Sequence, residues 1–240
     1  MSYSKRIELF DDKVGAVEYV QHMGSDLTIV NSARVSFGTS KDYVDERDKK
    51  LINYLVKHKH TSTLEHNLIT MKFTVPLFIR SQHHRHRTWS YNEISRRYTS
   101  VDMEFYEPVS YRTQHESNRQ ASKEQLINPN MNDVNIPTTI PVPMYLASDA
   151  VRDHHVRSVK LYNNLLDKGV CREQARGVLP QNLYTQYYGT VNLNNLIKFI
   201  SLRIHEGAQW EIQRVAEACL EIASDLFPEA VESFKRQKNI

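Results

Sequence analysis

The sequence has few of the residues that define several large classes of protein. Of its 240 residues only Cys171 and Cys219 are cysteine, and neither belongs to a C-x-x-C pair, which excludes a disulfide framework. The seven glycines form neither a G-x-G-x-x-G motif nor a Walker loop, so a Rossmann-type dinucleotide site is not expected. No run of about eighteen apolar residues occurs, so the sequence predicts no membrane-spanning helix.

The composition is typical of an ordinary globular protein. Hydrophobic residues make up 40% of the chain and charged residues 25%, which is enough to build a core. The net charge of +3 permits an anionic ligand without demanding nucleic acid. The opening MSYSKRIELFDDK carries charge and is followed by no apolar run. We therefore expect no secretory signal and a cytoplasmic location, or the host cytoplasm if the source is viral.

The periodicity of the apolar residues predicts an α+β fold, in which long helices accompany a small sheet. Apolar and polar residues alternate from Ile69 to Val75, which is typical of a strand. Helices are predicted over 45–57, 77–86, 144–167, 172–178, 193–205 and 208–226, and further strands over 5–10, 98–106 and 184–191. Residues 113–143 contain many Asn and Pro residues and predict an irregular loop within a single domain spanning residues 1–240.

The densest group of chemically active side chains lies in residues 85–98, RHRTWSYNEISRRY. Guanidinium groups suit phosphate and carbonyl oxygens, and the aromatic faces can stack on a heterocycle. The same residues fit a nucleotide or flavin pocket, a nucleic-acid-binding patch, or a solvated basic surface. The residue types alone leave these three interpretations open.

Histidine is the other candidate chemical group, because six of the eleven lie between His58 and His86. A catalytic zinc site needs two or three ligands that converge from a fixed spacing. His154 and His155 are adjacent in the sequence and cannot share one helix face. We therefore expect no metal.

Arg85-His86-Arg87, followed by seven residues and Ser95, resembles the RHR-x7-S signature of flavin-dependent thymidylate synthases. The resemblance extends over about residues 15–106 and 144–226. Its further matches are SARVSF at 32–37, HTSTLEH at 60–66 with Ser62 in place of a usual Thr, REQARGVLPQNLY at 172–184, and LR followed by AQWEI at 202–212.

This resemblance implies the thymidylate-synthase-complementing fold, with a mainly antiparallel sheet, in a homotetramer whose active sites lie at subunit interfaces. It implies methylation of dUMP to dTMP with FAD as cofactor, and with methylenetetrahydrofolate and NADPH as co-substrates. Positions matching the family's nucleotide ligands are Gln82, Arg85, Glu93, Ser95, Arg97, Arg176 and Arg203. Positions matching its FAD ligands are Ser36, His60, Ser62, Glu65, Arg85, His86, Arg87 and Asn192. It implies neither a nucleic-acid partner nor a membrane.

The predicted chemistry is electrostatic, because no cysteine near the arginine-rich segment has the surroundings of a nucleophile. We expect Arg97 and Arg176 to stabilise enolate-like charge on the pyrimidine carbonyl. Ser95 has no base partner in the motif, so we expect it to bind the phosphate. Lys198 and Gly207 stand where the family often has Asn and His, and His205 is a candidate substitute contact to the flavin. A nucleic-acid-binding protein that uses segment 85–98 is the alternative.

Overall fold

The alternating residues predicted as a strand lie in the middle of a sheet in a computed structural model of the chain. The structure describes residues 3–98, 103–119, 121–131 and 144–240. The five strands of this sheet are β1 (Arg6–Glu8), β2 (Ala16–Met23), β3 (Leu68–Pro76), β4 (Ser90–Glu93) and β7 (Tyr184–Asn192). Their order is β1-β2-β3-β7-β4, and the β1–β2, β2–β3 and β4–β7 pairs are antiparallel.

Strands β3 and β7 are distant in sequence but are neighbours in the sheet, and both polar and aromatic side chains make contacts between them. The hydroxyl oxygens of Thr70 and Thr190 lie 2.9 Å apart. The rings of Phe73 and Tyr187 stack with centroids 5.1 Å apart. The α+β class and the mainly antiparallel sheet predicted above are confirmed.

The chain forms two compact units. The first contains Met1–Val75, Ser81–Glu93 and Gln186–Ile240, and the second contains Pro76–Arg80 and Ile94–Thr185. The expectation of one domain over residues 1–240 remains a prediction, because units of this kind can belong to one domain.

Five helices pack on the sheet and on each other in the first unit. They are α1 (Asp26–Arg34), α2 (Glu46–Lys57), α6 (Leu193–Arg203), α7 (Trp210–Leu226) and α8 (Pro228–Lys238). Helix α7 contacts α6, α8 and β2. It buries Ile212, Val215, Cys219 and Ile222, which recur every three or four residues and so share one helix face. Each fully buried Ile or Val side chain of this face stabilises the fold by about 1.5–3 kcal/mol.

Asp26, at the start of α1, caps the first turn of α8. Its buried carboxylate accepts hydrogen bonds from the backbone amides of Glu229 at 2.9 Å and Ala230 at 3.1 Å. Pro228, which has no amide hydrogen, occupies the start of the helix. The first and last helices of the chain are therefore joined by a charge-assisted cap.

The described residues of the second unit include a two-stranded hairpin and the two helices that follow it. The hairpin consists of β5 (Tyr111–Gln114) and β6 (Ser122–Ile127), and the helices are α4 (Ala147–Asp167) and α5 (Arg172–Ala175). A 3-10 helix, Arg176–Val178, follows α5. Gly169, at φ +85°, follows the end of α4 in a conformation that favours glycine.

Two segments of the second unit differ from the sequence expectations. The irregular loop predicted over 113–143 contains hairpin strands up to residue 127, whose alternation is concealed because most of the β6 side chains are exposed. Residues 132–143 of that loop lie outside the described residues. Residues 103–106 of the predicted strand 98–106 form only one isolated bridge, between Phe105 and Leu183, and residues 99–102 are not described.

In the described part of the chain, no helix combines the length and the apolar character needed to cross a membrane.

Candidate active site

The Arg85-His86-Arg87 turn connects helix α3 (Leu77–His83) to β4 and is anchored by a buried histidine. His83 is 0% exposed, and its Nδ1 lies 2.7 Å from the hydroxyl oxygen of Tyr187. Burial lowers the pKa of His83 well below 6.5, and the neighbouring positive groups act in the same direction. His83 is therefore a neutral core residue that fixes the base of the turn.

Aromatic rings enclose His83. The rings of Phe73, Trp89 and Phe199 have centroids 4.7, 4.5 and 4.7 Å from the imidazole. Gly189 makes this packing possible, because a Cβ atom there would lie 2.9 Å from Phe73 and 3.1 Å from Trp89. The interior of the first unit thus holds the turn rigidly, as a binding site on a short connection requires.

Helix α3 ends at His83, three residues before the predicted end at 86. The Tyr91 hydroxyl donates to the carbonyl oxygens of His83 at 3.0 Å and His86 at 3.2 Å. The amide of His86 donates to the carbonyl of His83 at 2.9 Å, which tightens the last turn. A side chain from β4 therefore satisfies carbonyl groups that a longer helix would have used.

His86 is paired with a cation, and this fixes its protonation state. Arg203 Nε donates to His86 Nε2 over 3.1 Å, so that nitrogen carries a lone pair and the ring proton resides on Nδ1. Burial and, second, the charge of Arg203 lower the pKa of His86 to about 4. At neutral pH, His86 is a neutral imidazole with a defined N–H donor.

Arg85 and Arg87 flank His86 and are exposed. Within the described residues neither guanidinium forms a hydrogen bond or an ion pair with the protein. Two free guanidinium groups beside a neutral N–H donor form a set that suits phosphate oxygens and the carbonyls of a flat heterocycle.

The predicted FAD residues His60, Ser62 and Glu65 are exposed. Ser62 lies in a 3-10 helix, Thr61–Leu64, and the other two flank it. Glu65 accepts a hydrogen bond from the buried Asn194 on α6 over 2.8 Å. A cavity of about 540 Å³ opens beside this segment. Its lining includes Lys59, Thr61, Leu64, Asn194, Ile197, Lys198 and Leu202.

The remaining predicted FAD contacts have more varied surroundings. Ser36 is exposed in a 3-10 helix, Val35–Phe37. Asn192 caps α6, and its side-chain oxygen accepts from the amide of Asn195 over 2.9 Å. His205 Nδ1 accepts from the amide of Gly207 over 3.0 Å, so this histidine is tied to the glycine that stands at the family's His position. Lys198 lines the cavity described above.

Gln82 belongs to a chain of polar side chains. Its Nε2 donates to Gln209 Oε1, and Gln209 Nε2 donates to Glu211 Oε2 over 2.9 Å. Glu211 is only 4% exposed. Sequence reasoning did not give Gln209 or Glu211 a role, although both lie in the AQWEI segment that carries part of the resemblance.

The second unit contains the predicted catalytic residues. Ser95 Oγ accepts from the amide of Arg97 over 3.3 Å. A guanidinium nitrogen of Arg97 lies 3.5 Å from Glu173, and both side chains are exposed. Arg176 is also exposed, one helical turn after Glu173, and makes no side-chain hydrogen bond or ion pair with any described residue. Sequence reasoning missed Glu173, whose pairing depends on the fold.

The predicted site residues are thus divided between the units. The first unit holds Ser36, His60, Ser62, Glu65, Gln82, Arg85, His86, Arg87, Glu93, Asn192 and Arg203, and the second holds Ser95, Arg97 and Arg176. Glu93 ends β4, opposite Tyr187 of β7. Among the residues with described positions, no group of three or more His, Cys, Asp or Glu side chains could hold a metal ion.

Comparisons with known proteins identify the family. The model of the family described as thymidylate synthase complementing protein matches residues 18–229. A flavin-dependent thymidylate synthase of Thermus thermophilus is 41% identical over 223 residues, which are 92% of this chain and 76% of the relative. This chain belongs to the family of flavin-dependent thymidylate synthases. The resemblance of the arginine-rich motif is confirmed.

Other members of the family extend the similarity. A flavin-dependent thymidylate synthase of Thermotoga neapolitana is 39% identical and aligns over 92% of this chain and 90% of its own length. The solved structure of the UMP/dUMP methylase PolB from Streptomyces cacaoi, bound with 5-Br dUMP, is 32% identical with a TM-score of 0.77. It covers 96% of this chain and 97% of its own. The alternative of a nucleic-acid-binding protein gains no support from these relatives.

Proposed function

We propose that this chain catalyses the reductive methylation of dUMP to dTMP. In this reaction FAD is the cofactor, methylenetetrahydrofolate supplies the one-carbon unit and NADPH is the reductant. The observation that carries the proposal is the turn at Arg85–Arg87 in a chain of this family. Two free guanidinium groups there flank a histidine that is held neutral by burial and, second, by Arg203.

The residues of the first unit fit a flavin. A flavin dinucleotide has a diphosphate and a ring edge with carbonyl and N–H groups, which need cationic and neutral donors. Arg85 and Arg87 supply the charge, and His86 supplies the neutral donor at Nδ1. His60 and Ser62, which adjoin the cavity-lining Thr61 in the sequence, supply further exposed polar groups. When bound, FAD supplies the electrons that reduce the transferred carbon to a methyl group.

Both units contain proposed nucleotide ligands. In the first unit these are Gln82, Arg85, Glu93 and Arg203, as the resemblance implies. In the second unit, Ser95 Oγ already accepts a backbone hydrogen bond, so its own O–H remains free to donate to a phosphate oxygen. Arg97 gives up its exposed contact with Glu173 at little cost, because surface ion pairs contribute at most about 1 kcal/mol.

Methylation at uracil C5 requires electron density on that carbon. A cationic group at the pyrimidine carbonyl oxygen stabilises enolate-like charge, which is the electron-rich form in which C5 is a nucleophile. Arg97 and Arg176 take this role in our proposal. Addition of a thiolate is not required, and Cys219 could not supply one, because it is 0% exposed and burial raises the pKa of its thiol.

The proposed assembly is a homotetramer with active sites at subunit interfaces, as the family resemblance implies. Light scattering of the purified protein tests the assembly directly. A monomer that is fully active would contradict it.

The function is tested by recording the visible absorption spectrum of the purified protein, then repeating it anaerobically with NADPH, with and without dUMP. We expect a yellow protein that releases FAD and bleaches faster when dUMP is present. A colourless protein that cannot be loaded with FAD would overturn the proposal.

Variants of the turn test the flavin contacts. Arg85→Gln and Arg87→Gln are expected to lower the FAD content, since each removes a free cation. Arg47→Gln is the matched control, because Arg47 is likewise exposed and has no side-chain partner among the described residues. Equal FAD content in all three variants would remove the turn from the flavin site.

A further inference from the structure

The polar chain from Gln82 to Glu211 has a fixed direction. Glu211 is almost fully buried, and its carboxylate oxygen is an acceptor. Gln209 must therefore turn its amide nitrogen towards Glu211, and this leaves its carbonyl oxygen facing Gln82. The oxygen and nitrogen ends of an amide have nearly the same shape, so the hydrogen-bond partners decide the orientation of the Gln209 amide.

The same logic passes to Gln82. Its side chain faces the carbonyl oxygen of Gln209, so it must present its amide nitrogen there. The carbonyl oxygen of Gln82, Oε1, then points away from Gln209, and no described residue donates to it. Gln82 is half-buried, so a ligand can reach this oxygen.

We propose that Glu211, acting through Gln209, is a positioning residue that sets Gln82 to present a hydrogen-bond acceptor, and not a donor, to the nucleotide. This rests on the proposed function, because it takes Gln82 as a dUMP ligand. Free glutamine amides can rotate and offer either group. When one orientation is fixed in advance, binding no longer costs the entropy of ordering the amide. A ligand with an acceptor at this position is then rejected.

An acceptor at Gln82 must meet a donor on the substrate. The pyrimidine and sugar of dUMP offer two, the base N3–H and the sugar 3′-OH. Either donor can pair with an acceptor, and two analogues distinguish them. N3-methyl-dUMP lacks the first donor, and 2′,3′-dideoxyuridine monophosphate lacks the second.

The experiment measures the dissociation constant of dUMP on the flavin-loaded enzyme. Glu211→Gln is expected to weaken dUMP binding about three- to tenfold. An amide at position 211 can donate or accept, so the polar chain can then take either donor–acceptor direction. Gln209→Leu interrupts the polar chain while the carboxylate of Glu211 is kept, and it is expected to have a similar effect. Glu217→Gln is the matched control, because Glu217 lies on the same helix and pairs with Arg214, and neither residue belongs to the polar chain.

A double-mutant cycle distinguishes orientation from structural support. In a Gln82→Ala background no amide remains to be oriented, so Glu211→Gln is expected to cause no further loss. The analogue that lacks the relevant donor should bind more weakly than dUMP to the wild type, and Gln82→Ala should remove this difference.

The outcomes separate this inference from the proposed function. A wild-type enzyme that does not bind dUMP contradicts the proposed function itself. If the wild type binds dUMP but Glu211→Gln causes the same loss with and without Gln82, Glu211 only supports the fold and the inference is wrong. If neither analogue loses affinity in a Gln82-dependent way, Gln82 presents no acceptor to the nucleotide and the inference is also wrong.

Discussion

The pairing of Arg203 with His86 makes a quantitative prediction about the titration of one histidine. Arg203→Gln removes the positive charge whose Nε lies 3.1 Å from His86 Nε2. Two unit charges about 4 Å apart interact by about 4 kcal/mol at an effective dielectric constant of about 20. Solvent at this half-buried position screens most of that interaction. We expect a remaining effect of about 1.4 kcal/mol, which is about one pKa unit.

The pKa of His86 should therefore rise from about 4 towards about 5 in Arg203→Gln. It should stay below 6.5, because burial is the larger cause of the shift. Hydrogen–deuterium exchange at the imidazole Cε1–H, read by mass spectrometry in the ligand-free protein, gives the pKa of each of the eleven histidines. Lys198→Gln is the control, because it removes a charge from the same helix away from His86.

The sign of the effect on stability follows from the same shift. Between pH 6.5 and 4 the unfolded chain takes up a proton at His86 and the folded protein does not. The free energy of unfolding therefore falls as the pH is lowered through this window. Arg203→Gln narrows the window, because it raises the pKa of His86 in the folded protein. A His86 that titrates near 6.5 in the wild type, or an unchanged pKa in the variant, would refute the assigned pairing.

Three further predictions concern the nucleophile, the phosphate and the fold. The double variant Cys171→Ser, Cys219→Ala should retain turnover within about threefold, because no thiolate takes part in the reaction. A loss of turnover of about 100-fold or more would indicate a thiol nucleophile. Ser95→Ala should raise the dUMP dissociation constant about tenfold while turnover persists at saturation, and complete loss of turnover with intact affinity would contradict its phosphate role. Asp26→Ala should lower the free energy of unfolding in urea by about 1–3 kcal/mol, since two amides in the first turn of α8, one of them buried, lose their acceptor. The exposed Asp11→Ala is its control, and equal stabilities would show that the cap contributes nothing.

Local patterns predicted the elements whose two faces differ. Strand β3 was predicted because its apolar residues alternate with Thr and Lys, and α7 because its buried residues follow a helical period. Strand β2 was missed, since only its first residues are buried and the side chains from Val20 to Met23 are all exposed, so no alternation marks it. Helix α8 was missed as well. It buries only Ala230, Val231, Ser233 and Phe234 among charged neighbours, and its first turn depends on Asp26.

The candidate site shows the same limit. The residues 85–87 are contiguous, so a motif could reveal them. Their partners are distant in sequence: Arg203 lies 117 residues from His86, and Gln209 lies 127 residues from Gln82. No local pattern could show that His86 is neutral or that the Gln82 amide has one orientation, because both properties arise only when α6 and the start of α7 pack against the turn.

The cap between α1 and α8 has a consequence for the order in which the protein matures during synthesis. Asp26 leaves the ribosome 203 residues before Glu229, the first amide that it caps. At about 5–20 residues per second, that interval lasts about 10–40 s. Over much of it, strand β3 lacks β7 as its neighbour and has an unpaired edge, which is a template for aggregation. The first unit therefore becomes complete only after translation has passed through the second, and the nascent chain needs protection during that interval.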